Sequence, residues 1–417
     1  MRSLEVVINS DHVGSLKDQN GIWSLEYTPA WIKNPDGYDL APTLPRTEES
    51  ILDGSTNRPV QWFFDNLLPE EDARRLLATD AKIEFADAFG LLGYYGAESA
   101  GAITLLNSLQ DEEEGGLKAL PDELLSQRIQ NLPRVALATG APKRMSLAGA
   151  QHKLAVVMNQ EGLFEPVGST PSTHILKPDH DDPNTYNATA ANEWFIMTIA
   201  RKIWGEVPPV YLKRVPESVY LIERFDRSEV GGRLVREHVL DACQLLGLDK
   251  TFKYNQATVE TLQRILGLVR NVAKTRMQLF TWLVFNTLVC NNDNHLKNLS
   301  FFVKGDSYHL TPHYDMLCTG IYGATNTPWL SADLVWRPEG VRTFDEVTLG
   351  SFLQLGKEIG LGEKIAHKLI VSLTKSILDV ARSLIDEHAD SMMAGEAQLI
   401  RRITFGAITD MVAKLKS

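Results

Sequence analysis

Hydrophobic and polar positions change their period several times along the chain. Leu4, Val6 and Ile8 alternate with Glu5, Val7 and Asn9. Beyond a polar stretch, Trp23, Leu25 and Tyr27 alternate again, the period-2 pattern of half-buried strands, with Asn20-Gly21 as a hairpin turn. Residues 28–60 are rich in Pro, Gly, Asp and Thr and predict mostly loop. The aromatic run Trp62-Phe63-Phe64 then leads through Pro69 and an acidic first turn into a predicted helix over 70–77. Residues 111–116, carboxylates followed by two glycines, mark a linker and a domain boundary, with helical text over 121–130. Residues 154–158 and 173–178 predict strands, while Phe195, Ile199 and Ile203 place one apolar stripe on a helix. The longest apolar stretch, 279–290, predicts a buried helix. Residues 299–303 and 308–312 predict a hairpin around Gly305-Asp306, and 344–416 is helical by period.

A chain of 417 residues makes two or three structural units and can bury a core without staples. With 44% apolar and 23% charged residues it is neither disordered nor fibrous. Forty-two basic against 53 acidic side chains give a net charge of −11, which excludes an overall positive field for nucleic acid and leaves only a local basic patch open. Cys243, Cys290 and Cys318 are odd in number and far apart, against a disulfide framework or a cysteine zinc site and in keeping with a reducing compartment. The stretch 279–290 is too short to span a bilayer, and Met1-Arg2-Ser3-Leu4 runs into alternation instead of an apolar signal core. A cytoplasmic protein with no membrane partner is expected.

Three separated stretches carry residues suited to phosphoryl transfer. In Ser146-Leu147-Ala148-Gly149-Ala150-Gln151-His152-Lys153 the small residues let backbone amides approach an anion that Lys153 could neutralise; read alone, the same text is an ordinary turn. Lys177 ends a predicted strand, where its tip could reach a nucleotide or simply edge a sheet. Asn291-Asn292-Asp293-Asn294-His295-Leu296-Lys297-Asn298 hangs from the buried helix. Asp293 and Asn298 are five apart, the spacing used when a carboxylate orients an attacking hydroxyl and an amide oxygen holds a metal, although loops favour both residues for turn chemistry. In a simple antiparallel register, hairpin residues whose numbers sum to about 611 face one another. Asn298 then sits opposite His313, with Asp315 diagonal to it and close enough to share Mg²⁺. His295 and His313 invite a zinc reading, but oxygen ligands predominate. His295 is instead expected to fix the loop by a hydrogen bond and keep the Asp293 carboxylate oriented.

These stretches, with Phe63-Phe64-Asp65-Asn66-Leu67-Leu68-Pro69-Glu70, Thr173-His174-Ile175-Leu176-Lys177, Asn192-Glu193, Glu223-Arg224-Phe225-Asp226-Arg227 and Leu310-Thr311-Pro312 with Tyr314-Asp315, resemble the HipA family of bacterial serine/threonine kinase toxins over nearly the whole chain. The resemblance implies an α+β, two-lobed kinase fold related to the phosphoinositide-kinase-like branch. Residues 1–110 would form the N-terminal subdomain, 111–225 the mixed N-lobe with the phosphate loop and 226–417 the mainly helical C-lobe. It implies ATP and Mg²⁺ as cofactors, Asp293 as catalytic base and Asn298 and Asp315 as metal ligands. Ala148, Gly149, Ala150, Gln151, Lys153, Lys177 and His295 would serve the nucleotide; Glu223 and Phe225 would form the adenine hinge, with Asp226 supporting the hinge or the ribose. Glu193 would pair with Lys177, or face solvent. Ser146 would be the autophosphorylated serine, where about −1.5 to −2 added charges repel ATP or displace the loop; without the resemblance it only caps a turn. Further implications are an aminoacyl-tRNA synthetase as protein substrate, dormancy as outcome, and a HipB-like helix-turn-helix antitoxin through which alone the chain meets operator DNA. Two other classes stay open, a co-repressor or binding module without toxicity and a small-molecule phosphotransferase.

Overall fold

The computed structural model of the chain describes residues 1–111, 114–145, 147–323 and 325–416. Near the N-terminus an antiparallel five-stranded sheet runs in the order Ile51–Leu52, Ile22–Tyr27, Asp11–Gln19, Arg2–Ile8, Ile103–Leu106. Asn20 and Gly21, at φ 56° and 81°, make the expected turn. The strand Asp11–Gln19 hides in what reads as polar text because only Val13 and Leu16 are large inward-facing apolar side chains. A bulge between Val6 and Val7 breaks the alternation of the first strand, so Val7, expected outside, is buried as well. The aromatic run lies on a helix of its own, Pro59–Asp65, and the helix predicted over 70–77 extends as Glu71–Ala81.

A second antiparallel sheet of six strands follows in the order Val210–Arg214, Ser218–Glu223, His174–Pro178, Leu154–Asn159, Gly162–Val167, Gly116–Ala119. Against it lies the helix Thr189–Ile203, which buries Phe195, Ile196 and Ile199 and starts earlier than its apolar stripe suggests. The predicted buried helix is Val272–Leu288; Leu279, Phe280, Trp282 and Phe285 point to different sides and all are inaccessible to solvent. Around it pack the helices Val259–Leu268 and Glu363–Glu387, and its end leads into the loop carrying Asp293.

Two apolar cores result. One is enclosed by the six-stranded sheet and the helix Asp122–Gln130. The other runs without interruption from the five-stranded sheet into the C-terminal helices, so the N-terminal subdomain shares its core with the helical lobe. Cys243, Cys290 and Cys318 are all buried free thiols. Among the described residues no helix is long and apolar enough to cross a membrane.

Candidate active site

The cleft between the six-stranded sheet and the helical lobe encloses about 160 Å³. Its roof includes the small-residue loop. Gly149 has φ 106°, a backbone conformation that calls for glycine, and a Cβ there would also displace the Lys153 ammonium, 2.6 Å away. Lys153 donates to the Ala148 carbonyl (2.7 Å) and holds the loop from beneath; burial and nearby Lys177 lower its pKa to about 8. Ala148, Gly149 and Lys153 line the cleft, whereas Ala150 and Gln151 lie outside that lining and the Gln151 amide turns toward the Pro178 carbonyl. Ser146 falls outside the described residues.

Lys177 projects from the strand His174–Pro178 and donates to Glu193 Oε1 (2.7 Å) and Asp315 Oδ1 (2.5 Å). Burial works against its charge, yet the carboxylates of Asp315 and Glu193 keep it protonated. Glu193 is thus an inward partner, not a solvent-facing side chain; burial pushes its carboxyl up to about 7 against the pull of Lys177. Glu223 ends the strand Ser218–Glu223, and Phe225 and Asp226 follow in the turn beyond it, with the Phe225 ring 5.4 Å from that of Tyr314. The Asp226 carboxylate is occupied by the Gly101 amide and the Arg224 and Arg227 guanidiniums, which makes it a support of this segment.

On the opposite wall the expected register holds through the hairpin, from Phe301 facing Leu310 to Lys304 facing Ser307. It does not continue to Asn298 and His313. Asn298 ends a 3₁₀ turn, and His313 leaves the ladder to lie between Trp204 and Trp282, with ring centroids 5.1 and 5.9 Å away. Asp315 nevertheless meets Asn298, because its backbone adopts φ 59° and swings the carboxylate back: Asn298 Nδ2 donates to Asp315 Oδ2 (2.7 Å). Lys177 and Lys153 hold the Asp315 carboxyl well below the usual range despite burial. Asn298 Oδ1 is buried and has no hydrogen-bond partner. An orphaned hard oxygen beside an ionised carboxylate fits a divalent cation such as Mg²⁺.

Burial pushes the Asp293 carboxyl up to about 6, against a hydrogen bond from the Tyr254 hydroxyl; Asp315 is near enough to raise it further. Tyr254 does what was expected of His295. The His295 imidazole makes no hydrogen bond to Asp293; burial and Lys253 lower its pKa to about 3, so it is neutral, and its ring lies edge-on to Tyr254 (4.9 Å). Tyr254 comes from a distant turn of no clear period, which is why sequence reading missed it. Its hydrogen bond favours ionised Asp293, so Tyr254→Phe is expected to move the titration of Asp293 upward by about one unit, seen as a shift of the acid limb of any activity that needs the carboxylate.

The N-terminal subdomain reaches this wall through the 63–70 motif. Lys297 donates to the Asn66 carbonyl (3.0 Å) and to Asp241 (2.8 Å), and Lys253 to Glu70 (2.5 Å). The Glu70 amide in turn donates to the Gly149 carbonyl (3.2 Å), tying the catalytic wall to the loop across the cleft.

Two lobes, a strand lysine paired with a helix glutamate, and an Asp–Asn–Asp set on the facing wall define a two-lobed kinase fold. The chain belongs to the HipA family: models described as the HipA N-terminal domain and the HipA-like C-terminal domain match residues 4–106 and 145–381. The Sinorhizobium fredii protein named "Putative kinase Y4mE" is 31% identical over 412 residues, 92% of this chain and 95% of that one. The serine/threonine-protein kinase toxin HipA of Shewanella oneidensis is 29% identical over 320 residues, 72% of this chain and 71% of that one. A chain from the Shewanella oneidensis complex of HipA, HipB and operator DNA superposes with a TM-score of 0.79 at 23% identity, covering 99% of this chain and 96% of that chain, a likeness of fold.

Proposed function

We propose that the protein is an ATP- and Mg²⁺-dependent serine/threonine-protein kinase acting as the cytoplasmic toxin of a toxin–antitoxin pair. The observation that carries this is the unpartnered Asn298 Oδ1 beside Asp315, with Lys177 on the same carboxylate and Asp293 near enough to feel the charge of Asp315. Asp293 accepts the proton of the attacking hydroxyl, and its carboxyl, raised to about 6, is a usable base at neutral pH. Lys177 and Lys153 face the nucleotide phosphates, the backbone of 148–149 cradles them, and the segment 223–226 receives adenine. Asn298 and Asp315 hold Mg²⁺, which when bound neutralises charge on the transferring phosphoryl group. His295 shapes the lining as a neutral ring. A cleft of about 160 Å³ is smaller than the ~300–1,000 Å³ of an ordinary ligand pocket, so nucleotide entry requires the 147–151 loop to give way.

The protein acceptor docks on the other side of Asp293, where Tyr254 and Asn292 line a groove of about 810 Å³, too open for a small phosphate acceptor alone. The likeness to the HipA toxin supports a serine/threonine-protein kinase toxin; an aminoacyl-tRNA synthetase as substrate, autophosphorylation at Ser146 and dormancy as outcome are proposed on the family resemblance. The solved complex of HipA with HipB supports a HipB-like antitoxin; at −11 the chain meets operator DNA through that partner. Incubation with γ-labelled ATP and Mg²⁺ tests the reading: wild type labels itself, Ser146→Ala does not, and chelation of Mg²⁺ stops labelling. Equal labelling of wild type and Asp293→Ala would end the assignment.

A further inference from the structure

A second concentration of charge begins behind the cleft wall at Arg224 and Asp226 and extends between the five-stranded sheet and the segment leading into the small-residue loop. Glu98 is fully buried and accepts from Lys143 Nζ (2.8 Å), Arg227 Nη2 (2.8 Å), Arg236 Nη2 (3.1 Å) and Arg224 Nη1 (3.3 Å). Asp226 takes a second face of Arg224 (2.7 Å) and of Arg227 (3.3 Å). Four cations therefore meet two carboxylates in one buried network, and no other carboxylate among the described residues pairs with any of the four. Arg144, stacked 3.8 Å over the Tyr94 ring, adds a further positive charge and has no ion-pair partner among the described residues.

This excess opens into a cavity of about 600 Å³. Lys143, Arg144 and Arg236 line it with Asn9, Asn107 and Ser169, and among the described residues no carboxylate does. Lys143 is buried, Arg236 half-buried and Arg144 exposed, so the cavity presents cations at its mouth above a buried base that is short of anions. In a chain of net charge −11 such an excess is not a by-product of composition. Burial, together with neighbouring Arg236 and Arg227, also lowers the pKa of Lys143 despite its contact with Glu98. Guanidinium forks and an ammonium beside amide and hydroxyl donors match the oxygens of a phosphate group better than a single carboxylate.

We propose that this cavity binds a phosphate group at a site separate from the cleft. The phosphate belongs either to a free phosphate compound or to a phosphoserine at 146, two positions along the chain from Arg144; only the second source rests on the kinase reading above.

The test is thermal unfolding of the full-length, phosphatase-treated chain with a non-hydrolysable ATP analogue present to fill the cleft. Inorganic phosphate is compared with chloride at equal ionic strength. Phosphate should raise the Tm, and Arg144→Ala should weaken the apparent affinity about tenfold. Ser169→Asp places a carboxylate at an exposed position whose backbone carbonyl already meets Arg236; it should raise the Tm in chloride and remove the phosphate response. Repeating the titration on autophosphorylated chain identifies the source: a lost response assigns the site to phosphoserine 146, an unchanged one to a free phosphate compound. A wild type that does not distinguish phosphate from chloride, or equal responses from wild type, Arg144→Ala and Ser169→Asp, would overturn the proposal whether or not the chain is a kinase.

Discussion

Asp293→Asn is expected to lower the rate of phosphoryl transfer by about 10²–10⁴-fold while leaving ATP affinity close to that of wild type. The amide keeps the shape of the carboxylate and can still accept from Tyr254, and none of the contacts that hold Lys177, Asn298 or Asp315 involves Asp293. It cannot take a proton. The same substitution should make the protein more stable at neutral pH. A carboxyl raised to about 6 in the folded chain, against an ordinary value near 4, binds protons more tightly folded than unfolded, so its ionisation costs stability as pH rises through that window. Removing the charge should recover on the order of 1–2 kcal/mol at pH 7, after allowance for the solvent this half-buried group still meets. Steady-state kinetics and urea unfolding at pH 7 check the pair of outcomes. A variant that is inactive because it is less stable would point to a structural role for Asp293.

Lys177→Met should be damaging in a different way. Lys177 is the shared cation of two carboxylates, Glu193 from the helix and Asp315 from the opposite wall, and its removal leaves both buried with only the more distant charge of Lys153. Breaking a buried pair by deleting one partner costs about 3–5 kcal/mol. The loss depends on pH in a defined direction. In wild type the depressed pKa of Asp315 contributes stability that is present above the ordinary carboxylate value near 4 and fades as pH falls below it. In Lys177→Met that contribution shrinks to what Lys153 supplies, and both carboxyls shift toward their neutral forms. The gap between wild type and variant should therefore be widest at pH 7 and narrow as pH falls to 4 and below, read as urea midpoints. Adding Glu193→Gln should return part of the stability without activity, since one of the two stranded charges is removed. A pH-independent gap would mean that Lys177 acts through packing alone.

Much of this site was legible because its residues lie close together in sequence. Asp293 and Asn298 sit in one eight-residue loop after a helix whose apolar faces announce burial, and the Gly305-Asp306 turn sets a register that the structure keeps through four residue pairs. The extrapolation past Thr311 failed for a physical reason. Alternation describes extended backbone, and nothing in the period marks Asp315 as the residue that turns left-handed to reach Asn298. Tyr254, Glu98 and the merging of the first sheet's core with the C-terminal helices were invisible for another reason: each is a contact between segments far apart in the chain. Tyr254 follows Lys253 in a turn without periodicity, and its meaning comes only from facing Asp293 across 39 positions. Glu98 looks like one more surface carboxylate until four cations from later segments close over it.

Everything proposed for the cleft requires Asn298 and Asp315 to hold one divalent cation next to Asp293 and beneath the loop at Gly149. A crystal structure of the chain with Mg²⁺ and a non-hydrolysable ATP analogue tests it most directly. The cation is expected on Asn298 Oδ1 and the Asp315 carboxylate, with the nucleotide phosphates between it and Gly149. A cation held by other residues, or a nucleotide seated outside this cleft, would contradict it.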